Sequence, residues 1–283
     1  MIRRLPVSIT FWGTAAIALL TTALPSPLLA TEYSVVQGDV LTIHRELPAG
    51  QARVECFGKQ WPVLREKDGK IWAWIGVDLK TNVGSYTLKW HAGAWSENDK
   101  LKVDKGEFRI SRITVEKKMA VFGAEELKRI RADQRTLKAS YTARVDATPF
   151  IHITQMPVQG IESTPFGAQR YVNGEPRSPH SGIDIAAPEG TPVITPLAGK
   201  VLVVSDMYLN GNTVAIGHGF GLVSVFSHLK STPLKEGDWV GAGSRIGEVG
   251  MTGRATGPHL HWGIRFNGAR INPASIVRNE NDG

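Results

Sequence analysis

Two short patterns in the 283-residue sequence could assemble chemistry. One is H-x-x-x-D at His180-Ser181-Gly182-Ile183-Asp184, and the other is H-x-H at His259-Leu260-His261. Each is weak alone. Eight histidines and eleven aspartates give H-x-x-x-D by chance about 0.3 times in a chain of this length. Residues at even spacing share one face of an extended strand. If these segments are extended, His180 and Asp184 point the same way, and so do His259 and His261. Neighbouring strands lie about 4.7–4.9 Å apart, so three side chains from two strands can meet on one ion at roughly 2.0–2.2 Å. Two imidazoles and one carboxylate, with a fourth position left for water, form the open pattern of a catalytic zinc site. A structural site would close with four protein ligands.

Hydrolysis at such a site also needs a proton acceptor. The sequence has no H-E-x-x-H, so the acceptor must be an imidazole, whose pKa of about 6.5 suits neutral pH. The remaining member of H-x-H is one candidate, and His228 in Phe226-Ser227-His228-Leu229 is another. Neither G-x-x-x-x-G-K-[ST] nor G-x-G-x-x-G occurs, so nucleotide binding has no support. The single cysteine, Cys56, excludes an intrachain disulfide framework and any multi-cysteine metal site.

The elements that must position these residues are strands. From residue 150 onward, runs such as Gly199–Val204, Thr213–Ile216, Leu222–Phe226 and His259–Ile264 alternate with glycine-rich turns, which predicts a mainly antiparallel β domain over 150–283. Residues 111–149 read as a linker with one helix, Ala124–Ser140. Its early glutamates and late cations suit the helix dipole, and its thin apolar stripe (Leu127, Ile130, Leu137) places it on a surface or between domains. Residues 31–110 carry short alternating runs and five of the eight tryptophans, the pattern of a small β-sandwich. Residues 1–30 combine Arg3 and Arg4 with a long uncharged apolar stretch and a small residue at Ala30, which predicts an export signal with no stable membrane span after processing. Removing it takes two arginines from a formal charge of +7 and leaves +5, which favours polyanionic neighbours. No aromatic-plus-arginine motif supports nucleic acid as that neighbour.

Residues 157–275 resemble the LytM-type catalytic domain of the M23 zinc metallopeptidases. The resemblance is carried in order by Ser163-Thr164-Pro165-Phe166-Gly167, His180-Ser181-Gly182-Ile183-Asp184, Gly211-Asn212-Thr213-Val214, Ser227-His228-Leu229 and the run Gly247 to Trp262. It implies that His180, Asp184 and His261 bind one zinc ion. It implies that His228 and His259 flank the reacting water and the developing oxyanion. Tyr208 falls where some members place a hydroxyl near that oxyanion, and His218 falls at a structural, strand-end position. Residues 31–110 resemble an immunoglobulin-like module that precedes this domain in some bacterial members. The implied function is a secreted zinc endopeptidase of periplasm or cell wall that cuts the peptide stems of peptidoglycan. The alternative within the same fold is a non-catalytic activator of a wall amidase. Oligomeric state has no sequence signal.

Overall fold

The computed structural model describes residues 30–116, 122–147, 153 and 155–277. The expected export signal and His152 lie outside the described residues. The first half holds β1 (Glu32–Val36), β2 (Val40–Glu46), β3 (Ala52–Cys56), β4 (Lys59–Trp61), β5 (Val63–Arg65), β6 (Lys70–Gly76), β7 (Gly84–Ala92), β8 (Trp95–Asp104) and β9 (Ile110–Ile113). One helix follows, α1 (Ala124–Ser140). The second half holds β10 (Ile161–Thr164), β11 (Gln169–Val172), β12 (Glu175–Pro176), β13 (Ile183–Ala186), β14 (Pro192–Ile194), β15 (Gly199–Met207), β16 (Gly211–Gly219), β17 (Leu222–Ser231), β18 (Trp239–Val240), β19 (Arg245–Val249), β20 (His259–Phe266) and β21 (Ala269–Ile271). The mainly β, antiparallel character read from the sequence is what the structure shows.

In the first half a five-stranded sheet, ordered β1-β8-β7-β3-β4, shares a core with a three-stranded sheet, β2-β6-β5. Period-two patterning makes this work. In β7 and β8, Leu88, Trp90, Leu101 and Val103 turn inward while Lys89, Lys100 and Lys102 face solvent. One charge sits inside. Buried Asp99 accepts hydrogen bonds from Arg45 at 2.6 Å and from the Trp90 indole at 2.8 Å, so it is paired rather than orphaned.

The second half is built on the sheet β10-β13-β20-β17-β16-β15-β18, with β14–β19 and β21 added at its margins. β16 and the first eight residues of β17 are buried almost throughout, because the sheet is covered on both faces. One face belongs to the large core that continues into the first half. There Trp61 meets Phe266 edge-on at 5.4 Å between ring centroids, and the Asp78 carboxylate accepts from the backbone and guanidinium of Arg270. The other face carries Val203, Met207, Ala215, Val223 and Val225, against which Leu137 and Tyr141 pack. α1 therefore lies across the sheet rather than free in a linker. Arg129 ties it to Asp206 on β15 at 3.0 Å. The segment before the helix is not simple linker either, because β9 pairs in parallel with β11. No helix among the described residues is long and apolar enough to cross a membrane.

Candidate metal centre

β13 and β20 run antiparallel with Asp184 directly opposite His261 and Ile185 opposite Leu260. Alternation then sorts the side chains. Ile183, Ile185, Leu260 and Trp262 enter the core, whereas Asp184, His259 and His261 share the opposite face. His180 comes from the turn just before β13. Gly182 lets that turn close on β20, because a Cβ there would lie 2.4 Å from the backbone oxygen of Trp262. The glycine of H-S-G-I-D is thus a close-approach residue.

The result is a triangle of donor atoms. His180 Nε2 lies 2.9 Å from Asp184 Oδ1 and 3.0 Å from His261 Nδ1, and His261 Nδ1 lies 2.8 Å from Asp184 Oδ1. Second partners orient the first two. His180 Nδ1 donates to the Pro165 carbonyl at 3.1 Å, which leaves the Nε2 lone pair facing its neighbours. Arg170 holds Asp184 Oδ2 at 2.8 Å, which leaves Oδ1 for the triangle. The residues present fit a divalent ion. Bonds of about 2.0–2.1 Å in tetrahedral geometry separate ligand atoms by roughly 3.3 Å, close to the spacing here, and two imidazoles with one carboxylate are a zinc-type donor set with room for another ligand. Burial raises the pKa of Asp184, but hydrogen bonds and charge from His180 and His261 outweigh it and hold the carboxyl well below its usual range. Burial likewise lowers His261, against the pull of Asp184.

His228 reaches the same hollow by a different device. In β17, Phe226 faces the core opposite Trp262, and Ser227 stands opposite His261. Strict alternation would send His228 back into the core. The β16–β17 pairing instead slips between Val214–Phe226 and Asn212–Leu229, and His228 takes a left-handed conformation with φ of 64°. That bulge re-aims its ring towards His259, with centroids 4.6 Å apart. Both rings are held alike. His228 Nδ1 donates to the Thr252 carbonyl at 2.9 Å and His259 Nδ1 to the Gly257 carbonyl at 2.8 Å, so each Nε2 is left as an acceptor. His259 Nε2 lies 4.0 Å from Asp184 Oδ1. Burial, with the nearby charges of His259 and His261, pushes His228 down to about 3.

Five of the residues singled out in the sequence thus stand together: His180, Asp184, His228, His259 and His261. Tyr208 lines an adjoining hollow with Phe122, Leu209, Gly253 and Arg254. Its ring packs edge-on against Phe122 at 5.8 Å and under the Arg129 guanidinium, and its backbone N–H donates to Asp133. His218 is fully buried elsewhere, bridging the Ala198 carbonyl and the Ser224 hydroxyl at 2.9 Å each. Burial pushes its pKa down to about 4. His44 stacks on Trp72, away from the cluster. Sequence reasoning missed Arg170, Arg177 and Arg254, which line the hollows around the triangle. One hollow, of about 430 Å³, runs towards α1 and is walled by Leu127, Ile130 and Gln134. The other, of about 290 Å³, runs towards Thr256 and Pro258.

Comparison with known proteins adds an independent line. Residues 178–273 match peptidase family M23. The DD-carboxypeptidase/endopeptidase Mpg of Neisseria meningitidis is 41% identical over 115 residues, which are 41% of this chain and 26% of that protein. The peptidoglycan DD-endopeptidase ShyA of Vibrio cholerae is 42% identical over 95 residues, 34% of this chain and 22% of that protein. The match thus spans about a quarter of the length of these curated relatives. A crystal structure from Pseudomonas aeruginosa, assigned to peptidase M23, aligns with a TM-score of 0.68 at 34% identity and covers 85% of this chain and 94% of that one.

Proposed function

The chain belongs to peptidase family M23, and from that premise we propose that it is a zinc-dependent hydrolase of the peptide stems of peptidoglycan, acting outside the cytoplasm. The observation that carries this reading is the convergence of His180 Nε2, Asp184 Oδ1 and His261 Nδ1 beside two imidazoles whose Nε2 atoms remain acceptors. Zinc held by those three residues supplies Lewis-acid polarisation of a carbonyl and an acidified water.

The remaining chemistry belongs to the protein's own groups. His259 Nε2, 4.0 Å from the ligand oxygen of Asp184, takes the proton as the attacking water oxygen bonds to the scissile carbonyl carbon. The backbone carbonyl of Gly257 stabilises the imidazolium that results. His228, on the other side of the hollow, presents a second Nε2 acceptor to the same reacting centre. Breaking the C–N bond then returns the proton to the leaving nitrogen. Arg170 keeps Asp184 oriented throughout. Relatives named DD-endopeptidase and DD-carboxypeptidase support stem peptides as the substrate class. The uncharged apolar stretch that follows Arg3 and Arg4 supports export. No observation favours the amidase-activator reading, because both proton-transfer histidines and all three ligand residues are present.

The test is incubation of purified protein with isolated sacculi, followed by mass analysis of the released fragments, with and without chelator. Cross-linked stems cut at a peptide bond, and protected by chelator, support the proposal. Chelator-insensitive stimulation of an added amidase, without direct cutting, refutes it in favour of the activator.

A further inference from the structure

Two guanidinium groups, Arg170 and Arg254, line both hollows, and the carboxylate of Asp184 lines one of them. Arg170 is committed to Asp184, yet its Nε is a buried donor with no partner. Arg254 is half-buried, and its side chain has no hydrogen bond or ion pair among the described residues. Burial, and to a lesser extent the nearby charges of Arg170 and Arg177, lowers the pKa of Arg254. Gathering like charges around an uncompensated guanidinium is unfavourable unless an anion completes the set.

Position narrows what that anion is. Arg170, Arg254 and His228 are common to both hollows, so Arg254 stands where the two meet, beside the reacting groups. Its loop is pinned by its own N–H to the Leu209 carbonyl. Two residues earlier, the Thr252 carbonyl orients His228. On the acyl side of a scissile amide, the reacting residue's carboxyl is the group under attack and is not free. On the other side, the carbon bearing the leaving nitrogen carries a free carboxylate when that residue ends a chain, or when it joins the bond through the distal amine of a diaminopimelate, whose carbon bears its own carboxyl.

We propose that Arg254 binds a free carboxylate on the carbon that carries the leaving nitrogen, and so selects anionic leaving residues over the neutral interior of a glycine bridge. This rests on the hydrolase reading above. It covers two sources of one chemistry: a terminal D-amino acid released by carboxypeptidase action, and a diaminopimelate branch released by endopeptidase action.

The test uses zinc-loaded full-length protein and two matched substrate pairs. One pair is a stem peptide ending in D-alanyl-D-alanine, as the free acid or the C-terminal amide. The other is a cross-linked dimer whose diaminopimelate carboxyl next to the linking nitrogen is free or amidated. Amidation is expected to lower kcat/KM roughly ten- to hundredfold in whichever arm is the substrate, mainly through KM, because it removes a charge-assisted pair. Arg254→Gln is expected to cleave acid and amide equally. A second readout needs neither a variant nor turnover. N-acetyl-D-alanine, but not its amide, should shift the Arg254 Nε–H resonance of the wild-type protein. The proposal is overturned if wild type cleaves acid and amide alike in both arms, if Arg254→Gln keeps the preference, or if N-acetyl-D-alanine leaves that resonance unmoved. Failure of wild type to cut any of the four peptides refutes the hydrolase reading instead, and this inference with it.

Discussion

Protonating His218 should unfold the protein from within, and the size of the effect can be worked from the structure. Its ring is fully buried between the Ala198 carbonyl and the Ser224 hydroxyl, and burial pushes its pKa down to about 4 from an ordinary value of 6.5. The folded state therefore binds fewer protons than the unfolded state between pH 6.5 and 4. Its stabilising contribution is complete above pH 6.5 and is lost as pH falls through the folded value. At 1.36 kcal/mol per pKa unit, the gap between 6.5 and about 4 amounts to about 3 kcal/mol. The other buried histidines, His228 and His261, are shifted the same way, so the His218 share must be isolated by difference. His218→Gln keeps a polar side chain but cannot titrate. At pH 7 it should be less stable than wild type by about 1–3 kcal/mol, through a lost or distorted buried hydrogen bond. Below pH 6.5 the wild type should lose that advantage steadily, so that the two melting curves approach each other by pH 4. Calorimetric melting of both proteins across this range checks it. A constant difference in Tm from pH 7 to pH 4 would refute the reasoning.

Three further outcomes are expected. Arg170→Met removes the guanidinium that orients Asp184 and should weaken metal binding roughly ten- to hundredfold, read by chelator competition. Gly182→Ala puts a methyl 2.4 Å from the Trp262 backbone oxygen, so β13 and β20 must separate; Tm should fall and metal loading should drop together. Asp78→Ala strands the Arg270 guanidinium between the two halves of the molecule and should lower stability by about 1–3 kcal/mol, measured by denaturant melting.

Much of the site was legible because β alternation is a strong signal. H-x-H sits on one face of β20, and its register against Asp184 on β13 follows from two short antiparallel strands. The helix was legible over Ala124–Ser140 from its formers and charge polarity. Its setting was not, because a stripe of three apolar residues does not say which surface receives it. His228 was found by its motif rather than its geometry. A bulge with a left-handed histidine has no periodic signature, and alternation alone would have turned the ring inward. Tyr208 was placed by analogy of loop position, and its ring packs between Phe122 and Arg129. Arg170 and Arg177 come from short, irregular strands and turns without pattern. Arg254 did carry a signal, an arginine in the glycine-rich loop five residues before His259, but one arginine in a loop reads as solvated until its neighbours are known.

The central claim is that one divalent ion at His180, Asp184 and His261 makes this groove a peptide-bond hydrolase. Its most direct test is mass analysis of a purified cross-linked muropeptide dimer incubated with protein stripped of metal and then resupplied with one equivalent of zinc. The account predicts two monomers whose masses sum to the dimer plus one water with the resupplied protein, and intact dimer with the stripped one. Cleavage that persists after stripping, or intact dimer with zinc bound at those three residues, would contradict it.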